Sequence, residues 1–163
     1  MTLDGKGIAF IKAREALRTE AYKDSKGVYT IGYGTTVYPN GKPVRQGDTT
    51  TKLHADNYFA WDAGKFERAV SLLVVDVPDQ PLIQNQFNAL VSIAYNIGEG
   101  KKGLAGSTLL KRVNSADRNN IELISAAFLM WNKITVWVEG KPVLKPIDGL
   151  INRRKKEIDL YFS

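Results

Sequence analysis

Apolar residues recur along this chain at intervals of three and four positions, and this spacing predicts amphipathic helices over six stretches. Capping and turn residues mark their limits: Ser107 precedes the fourth, Asn120 precedes the fifth, and Pro81 suits the first turn of the third. The predicted helices are Gly7–Thr19, Thr51–Leu73, a buried helix through Phe87 and Ala94 that ends near Gly98, Thr108–Val113, Ile121–Trp131 and Leu150–Phe162.

Two stretches between these helices have the composition of strands. Tyr22–Val37 is rich in β-branched and aromatic residues and is interrupted by glycines, which predicts a small hairpin or meander. Ile134–Val138 alternates in character and predicts a second small hairpin before Pro142. The length of the second helix suggests a connector between a β-containing lobe and a helical lobe, although a bundle helix would show the same pattern.

The composition is that of an ordinary soluble globule, with 163 residues, 44% of them apolar and 25% charged. This length suits one domain or two closely packed lobes. The absence of cysteine excludes disulfides and thiol nucleophiles, and a single histidine, His54, argues against a zinc site. We therefore expect no metal and no cofactor. No apolar stretch reaches the ~20 residues of a membrane span, and no signal peptide is predicted.

The formal net charge of +6 attracts polyanions in general, such as nucleic acid, anionic lipid or an acidic wall polymer. Charge alone does not choose among them. A nucleic-acid-binding helical domain rests only on this charge and on the basic run Arg153–Lys156, and it lacks a recognition motif.

Two carboxylates and a hydroxyl form the candidate catalytic group. Eight residues separate Glu15 from Asp24, and five separate Asp24 from Thr30. If the hairpin pairs Tyr22 with Thr30 and Asp24 with Val28, the side chains of Asp24 and Thr30 share a face, with their Cα atoms about 7–8 Å apart, which leaves room for one water. Glu15 is expected near the end of the first helix, where partial burial disfavours the ionised form, as a general acid requires. Each residue alone also has an ordinary structural explanation.

The segment from Glu15 to Gly34 resembles the active-site segment of the phage-type lysozymes, glycoside hydrolase family 24. The shared pattern is Glu, eight residues, Asp, five residues, Thr, and then Ile-Gly-Tyr-Gly. The resemblance continues in order along nearly the whole chain. The further similar blocks are Gln84–Gly98, Gly106–Leu110, Trp131 and Gly149–Glu157.

The sequence departs from the family pattern at a few places. Thr35 stands where the family usually has His, which puts in doubt any tuning of the cleft by an imidazole. Ala16 replaces a common Gly, a change expected to be harmless in a helix. Residues 133–148 also look longer than in the shortest members.

The resemblance implies an α+β, mainly α, lysozyme-like fold. A small N-terminal β-hairpin lobe and a larger helical lobe would be joined by a long helix, and residues 1–163 would form a single catalytic domain with a cleft between the lobes. It also implies an endolysin muramidase that hydrolyses the β-1,4 bond between N-acetylmuramic acid and N-acetylglucosamine in peptidoglycan, with inversion. Inverting enzymes hold their carboxyls about 6.5–9.5 Å apart to admit a water. Glu15 would be the acid, Asp24 would activate the water and Thr30 would help to fix it.

Five further residues are candidates for supporting roles by resemblance. Arg153 would orient Glu15, or alternatively belong to a solvated basic face. Tyr95, Asn96, Ser107 and Thr108 would line the sugar cleft, with core packing and helix capping as the alternatives.

The predicted partner is bacterial peptidoglycan, with no nucleic acid and no stable membrane insertion. We expect a monomer that stays in the host cytoplasm until a holin-type pore lets it reach the wall and lyse the cell. Use in a virion or a bacteriocin would leave the same sequence signals. The alternative function is a lysozyme-like module that binds peptidoglycan without cleaving it, against which the intact catalytic group argues.

Overall fold

The computed structural model describes residues 1–24 and 27–163, and this part of the chain has a mixed α+β fold. Its α-helices are α1 Gly5–Lys12, α2 Lys52–Leu73, α3 Gln84–Ile97, α4 Thr108–Val113, α5 Ile121–Leu129 and α6 Asp148–Tyr161. Its strands are β1 Arg18–Lys23, β2 Tyr29–Gly32, β3 Lys133–Val138 and β4 Lys141–Pro146, and they form two separate antiparallel hairpins. Over the described ranges, no helix combines the length and the apolar character needed to cross a membrane.

The first helix is shorter than the apolar spacing predicts. It begins after Asp4, whose carboxylate accepts the N–H of Gly7 at 2.8 Å, and it ends at Lys12. The prediction of a helix to Thr19 is wrong, because strand β1 is hydrogen-bonded on two sides. It pairs with β2, and on its other side it bonds to residues 48–50. Glu15 therefore lies in the turn that links α1 to β1.

The first hairpin has the predicted register, with Tyr22 paired to Thr30. Gly27, with a φ of 78°, ends its turn, and Ser25 and Lys26 of the predicted turn lie outside the described residues. Gly32 has a φ of 66°, and a Cβ there would stand 3.3 Å from the Cβ of Ala55 in α2. The hairpin consequently lies close against the long helix.

The long helix α2 begins after Thr51, whose hydroxyl accepts the N–H of His54 at 3.2 Å. It packs on both β2 and α3, so it connects the hairpin to the helical part as predicted. Helix α3 is the centre of the core, and residues 86–94 within it are all buried. It begins at Gln84, so the prediction that Pro81 occupies its first turn is wrong. Ser107 and Asn120 cap α4 and α5 as predicted.

A carboxylate joins the end of α1 to the start of α2. Asp56 lies 2.8 Å from the Nζ of Lys12 and 2.9 Å from the Nζ of Lys52. The hydrogen bonds from these two lysines lower the pKa of Asp56 to about 2. Because Lys12 is the last residue of α1, this contact fixes the point from which the chain turns towards Glu15.

A buried ion pair within α6 is hydrogen-bonded to α3. Arg154 and Glu157 are both fully buried, and the Nε of Arg154 lies 2.9 Å from Oε2 of Glu157. Ser92 of α3 donates its hydroxyl to Oε1 of Glu157 at 2.7 Å. Burial raises the pKa of Glu157 and lowers that of Arg154 to about 10, since both charged forms have lost water.

The Asp56 cluster predicts a pH-dependent contribution to stability. The folded-state pKa is depressed from 3.8 to about 2, so the contribution is present above pH 3.8 and disappears as the pH falls through about 2. Asp56→Asn should therefore unfold at a lower temperature than the wild type at neutral pH, and this gap should close in acid. Thermal melts across this range test it, with Asp76→Asn, an exposed carboxylate, as the charge-matched control. A gap that stays constant with pH would contradict the assignment.

Removing the charge of Glu157 should strongly destabilise the protein. Glu157→Gln leaves the guanidinium of Arg154 buried without its carboxylate, and breaking a buried pair in this way costs about 3–5 kcal/mol. Urea unfolding at neutral pH measures this loss, with Glu122→Gln on the exposed first turn of α5 as the control. A loss below about 1 kcal/mol would mean that the pair does not hold α3 to α6.

Candidate active site

A cavity of about 600 Å³ lies between the first hairpin, the C-terminal end of α3 and the segment that joins α5 to α6. It brings together residues that are far apart in the sequence, including both predicted catalytic carboxylates. The predicted site residues that line it are Glu15, Asp24, Thr30, Tyr95 and Asn96.

A second cavity of about 660 Å³ lies beside the loop of residues 38–48, and none of the predicted site residues lines it. Its carboxylate, Asp48, accepts hydrogen bonds from the hydroxyl of Tyr38 and the N–H of Arg45, both at 2.9 Å. Burial, followed by the bond to Asp48, raises the pKa of Tyr38 to about 12. This arrangement offers no second carboxylate for acid–base chemistry, so the cavity that contains Glu15 is the candidate active site.

Glu15 is held in the first cavity by an arginine from the other end of the chain. Nη1 of Arg153 in α6 donates to Oε1 of Glu15 at 2.8 Å, so the predicted contact between these residues is present. The side chains of Glu15 and Arg153 are 22% and 10% exposed. The alternative of a solvated basic face is therefore wrong for Arg153, whereas Lys155 and Lys156 do face solvent.

The contact between Glu15 and Arg153 is one end of a chain of alternating charges. Nε of Arg153 lies 3.4 Å from Oε1 of Glu157, and Glu157 is paired in turn with Arg154. Nη2 of Arg154 then donates to Oδ1 of Asn96 at 2.9 Å, which returns the chain to the cavity. Two carboxylates and two guanidinium groups balance one another, so none of these charges is buried alone.

Sequence reasoning missed the roles of Arg154 and Glu157 because, within the last helix, it considered a role at the site for Arg153 alone. A signal was present. Both residues fall between Leu150 and Tyr161 at helical spacing, on the apolar side of the last helix. Charged residues on a buried stripe indicate a paired and desolvated cluster.

Asp24 and Thr30 are positioned by the hairpin that carries them. The N–H of Asp24 donates to the carbonyl of Val28 at 2.9 Å, and Oδ1 of Asp24 accepts the N–H of Val28 at the same distance. The hydroxyl of Thr30 donates to the carbonyl of Val28 at 3.1 Å. With its hydrogen used in this way, the oxygen of Thr30 can accept a hydrogen bond, as the carboxylate of Asp24 can.

The other predicted residues divide between the cavity and the core. Tyr95 lines the cavity while its hydroxyl donates to the carbonyl of Tyr33 at 2.9 Å, and burial raises its pKa. Ser107 and Thr108 do not line it. Ser107 is buried and accepts the N–H of Leu110 at 3.0 Å, which agrees with the capping alternative, and Thr108 is the first residue of α4.

The two substitutions relative to the family pattern also have defined places. Thr35 is fully buried and donates to Oδ2 of Asp62 in α2 at 2.7 Å, so its side chain is directed at the long helix. Thr36, not Thr35, lines the cavity. Ala16 lies outside α1, so the helix propensity of alanine has no bearing on it. In the described ranges, no three His, Asp or Glu side chains are grouped as a metal site would require.

Known proteins are similar to this chain in sequence and in fold over its full length. The phage lysozyme family model matches residues 12–157. The endolysin of Salmonella phage P22 is 36% identical over 163 residues, which cover 100% of this chain and 99% of that protein. The solved structure of an endolysin from Escherichia coli O157:H7 phage FAHEc1 is 42% identical, with a TM-score of 0.83 over 100% of this chain and 94% of that one.

A solved structure of a P22 lysozyme mutant is 34% identical, with a TM-score of 0.74 over 100% of this chain and 99% of that one. These similarities confirm the predicted lysozyme-like fold and the predicted enzyme class, a glycoside hydrolase. The chain belongs to the phage lysozyme family.

Proposed function

We propose that this protein hydrolyses the β-1,4 bond between N-acetylmuramic acid and N-acetylglucosamine in bacterial peptidoglycan, with inversion at the anomeric carbon. The observation that carries the proposal is the placement of Glu15, braced by Arg153, in one cavity with Asp24 and Thr30. Membership of the phage lysozyme family supports it.

Glu15 is the general acid. Arg153 fixes Oε1 of Glu15, so that Oε2 presents the proton to the glycosidic oxygen as the bond breaks. The leaving sugar departs as a neutral alcohol, and positive charge develops at the anomeric carbon. The fixed position of the carboxyl group keeps the donor in line with the bond throughout.

Asp24 is the general base, and the water that it activates attacks the face of the sugar opposite Glu15. Two hydrogen-bond acceptors on one hairpin determine where this water sits. One hydrogen atom of this water bonds to the carboxylate of Asp24, and its other hydrogen atom bonds to the hydroxyl oxygen of Thr30. A lone pair of the water oxygen is then directed at the anomeric carbon. Asp24 takes up the proton of this water as the new bond forms.

The remaining parts of the proposal concern the whole protein. Residues 1–163 act as one catalytic domain of two lobes with the cleft between them, and Tyr95 and Asn96 contact the sugar. The protein works as a monomer without a cofactor. It stays in the host cytoplasm until a holin-type pore admits it to the wall, where cleavage lyses the cell. Similarity to proteins named endolysins supports the lytic role.

Replacing the acid should abolish cleavage without unfolding the protein. Glu15→Gln still accepts the hydrogen bond from Arg153 but has no proton to donate, so release of reducing ends from peptidoglycan should fall by about 10²–10⁴-fold. Glu20→Gln, an exposed position on β1, serves as the control.

Identification of the new reducing ends makes this test specific. N-acetylmuramic acid ends are expected. N-acetylglucosamine ends would refute the bond assignment, and clearing that persists in Glu15→Gln would refute the acid. A wild-type protein that binds peptidoglycan without releasing any ends would favour the binding module instead.

For kcat, the hydroxyl group of Thr30 should matter more than the volume of the side chain. Thr30→Val keeps the volume but loses the acceptor for the water, so kcat should fall by about 10²-fold, whereas Thr30→Ser should keep most of the activity. Steady-state kinetics on a soluble peptidoglycan fragment measures both variants. Nuclear magnetic resonance of the first product should show the inverted anomer. Equal activity of Thr30→Val and Thr30→Ser, or a retained anomer, would contradict the role of a positioned water.

A further inference from the structure

The second hairpin presents an unusually apolar surface to solvent. Trp137 is 72% exposed, Leu144 is 65% exposed, and Val138 and Val143 are also exposed. Among the residues of β3 and β4, only Val136 is partly buried. A two-stranded sheet gains little stability from side chains left in water, so a group of exposed apolar residues of this size indicates a binding surface.

The strand register places the largest of these residues on one face. Trp137 pairs with Pro142, and Thr135 pairs with Leu144, so all four side chains point to the same side of the hairpin. Lys133 lies on this face too, since side chains two and four positions apart share a face. The face that runs from Lys133 to Trp137 is called the hairpin face below.

The hairpin face is continuous with the candidate active site. Lys133 and Ile134 line the cavity that contains Glu15, as does Trp131 just before β3. From Lys133 the face extends along the strand for about 14 Å to Trp137. A polymer that leaves the cavity along this wall would therefore pass over the side chains of Leu144 and Trp137.

The charges of the hairpin suit an anionic polymer. Lys133, Lys141 and Lys145 are exposed, and the hairpin has one carboxylate, that of Glu139 in its turn. The ion pairs found within residues 1–24 and 27–163 do not include these lysines. Lys133 lies on the hairpin face and is thus available to a carboxylate of a ligand there, whereas Lys141 and Lys145, which pair with Val138 and Ile134, lie on the opposite face.

We propose that the hairpin face is a second docking surface for a peptidoglycan strand, outside the cavity where the bond is cleaved. The ring of Trp137 and the side chain of Leu144 pack on the apolar face of a sugar, and Lys133 pairs with a carboxylate of the peptides attached to the strand. This inference rests on the proposed function. An anionic lipid surface would also match apolar groups and lysines, but continuity with the cavity favours the strand.

Binding to whole peptidoglycan sacculi tests the proposal directly. In a Glu15→Gln background, which prevents degradation, adding Trp137→Ala should weaken binding to sacculi about tenfold, the change that ~1.4 kcal/mol produces. Leu144→Ala should weaken binding in the same direction. Leu72→Ala is the matched control, because Leu72 is 85% exposed on α2 away from the cavity.

Activity assays separate the surface from the catalytic centre. With Glu15 intact, Trp137→Ala should lose about tenfold more kcat/KM on sacculi than on a soluble, uncross-linked tetrasaccharide that carries its peptides. Lys133→Gln should reduce the salt dependence of sacculus binding, whereas Lys141→Gln with Lys145→Gln, on the opposite face of the same hairpin, should not.

Three results would overturn the proposal. The first is sacculus binding that Trp137→Ala leaves unchanged, and the second is sacculus binding that Leu72→Ala weakens as much as Trp137→Ala does. The third is a Trp137→Ala variant that binds less well to vesicles of phosphatidylglycerol but equally well to sacculi. Failure of the proposed function gives a different result. The wild type would then cleave neither substrate, while sacculus binding would still depend on Trp137.

Discussion

The buried chain of charges from Glu15 through Arg153 and Glu157 to Arg154 is the constraint on which the site depends. It joins the turn after α1 to the last helix, which are 138 residues apart in the sequence, and it ends at Asn96 on α3. Desolvated charges are costly, and here each one is balanced by its neighbour. The same contacts therefore hold three parts of the chain together and place one carboxylate at the wall of the cavity.

The two carboxylates of the proposed mechanism are held in different ways. Glu15 is fixed by an ionic contact with α6, whereas the side chains of Asp24 and Thr30 are fixed by hydrogen bonds to the backbone of Val28 within one hairpin. Helix α2 joins the two arrangements, since the hairpin packs against it and Asp56 ties its first turns to α1. Displacing α6 or the first hairpin would separate Glu15 from Asp24, although the local contacts of each residue would stay intact.

Sequence periodicity predicted those elements whose limits are set by local contacts. The caps Ser107 and Asn120 lie where they were expected, because each bonds to an N–H group only three residues away. The end of α1 was missed because strand pairing with residues 48–50, which helical spacing does not reveal, replaces the helix. Of the site, the three catalytic candidates and Arg153 were expected. The roles of Arg154 and Glu157 were not, because the burial of these two residues depends on how α6 docks on α3.

The proposed mechanism requires that Arg153 orients Glu15 for proton transfer, beyond any contribution of this arginine to the stability of the fold. Steady-state kinetics of Arg153→Met and Arg153→Lys on a soluble peptidoglycan fragment, with melting temperatures recorded in parallel, distinguishes these two roles. We expect kcat to fall about 10²-fold in Arg153→Met with little change in KM, and Arg153→Lys to recover part of the loss. Wild-type kcat in a folded Arg153→Met protein would contradict it.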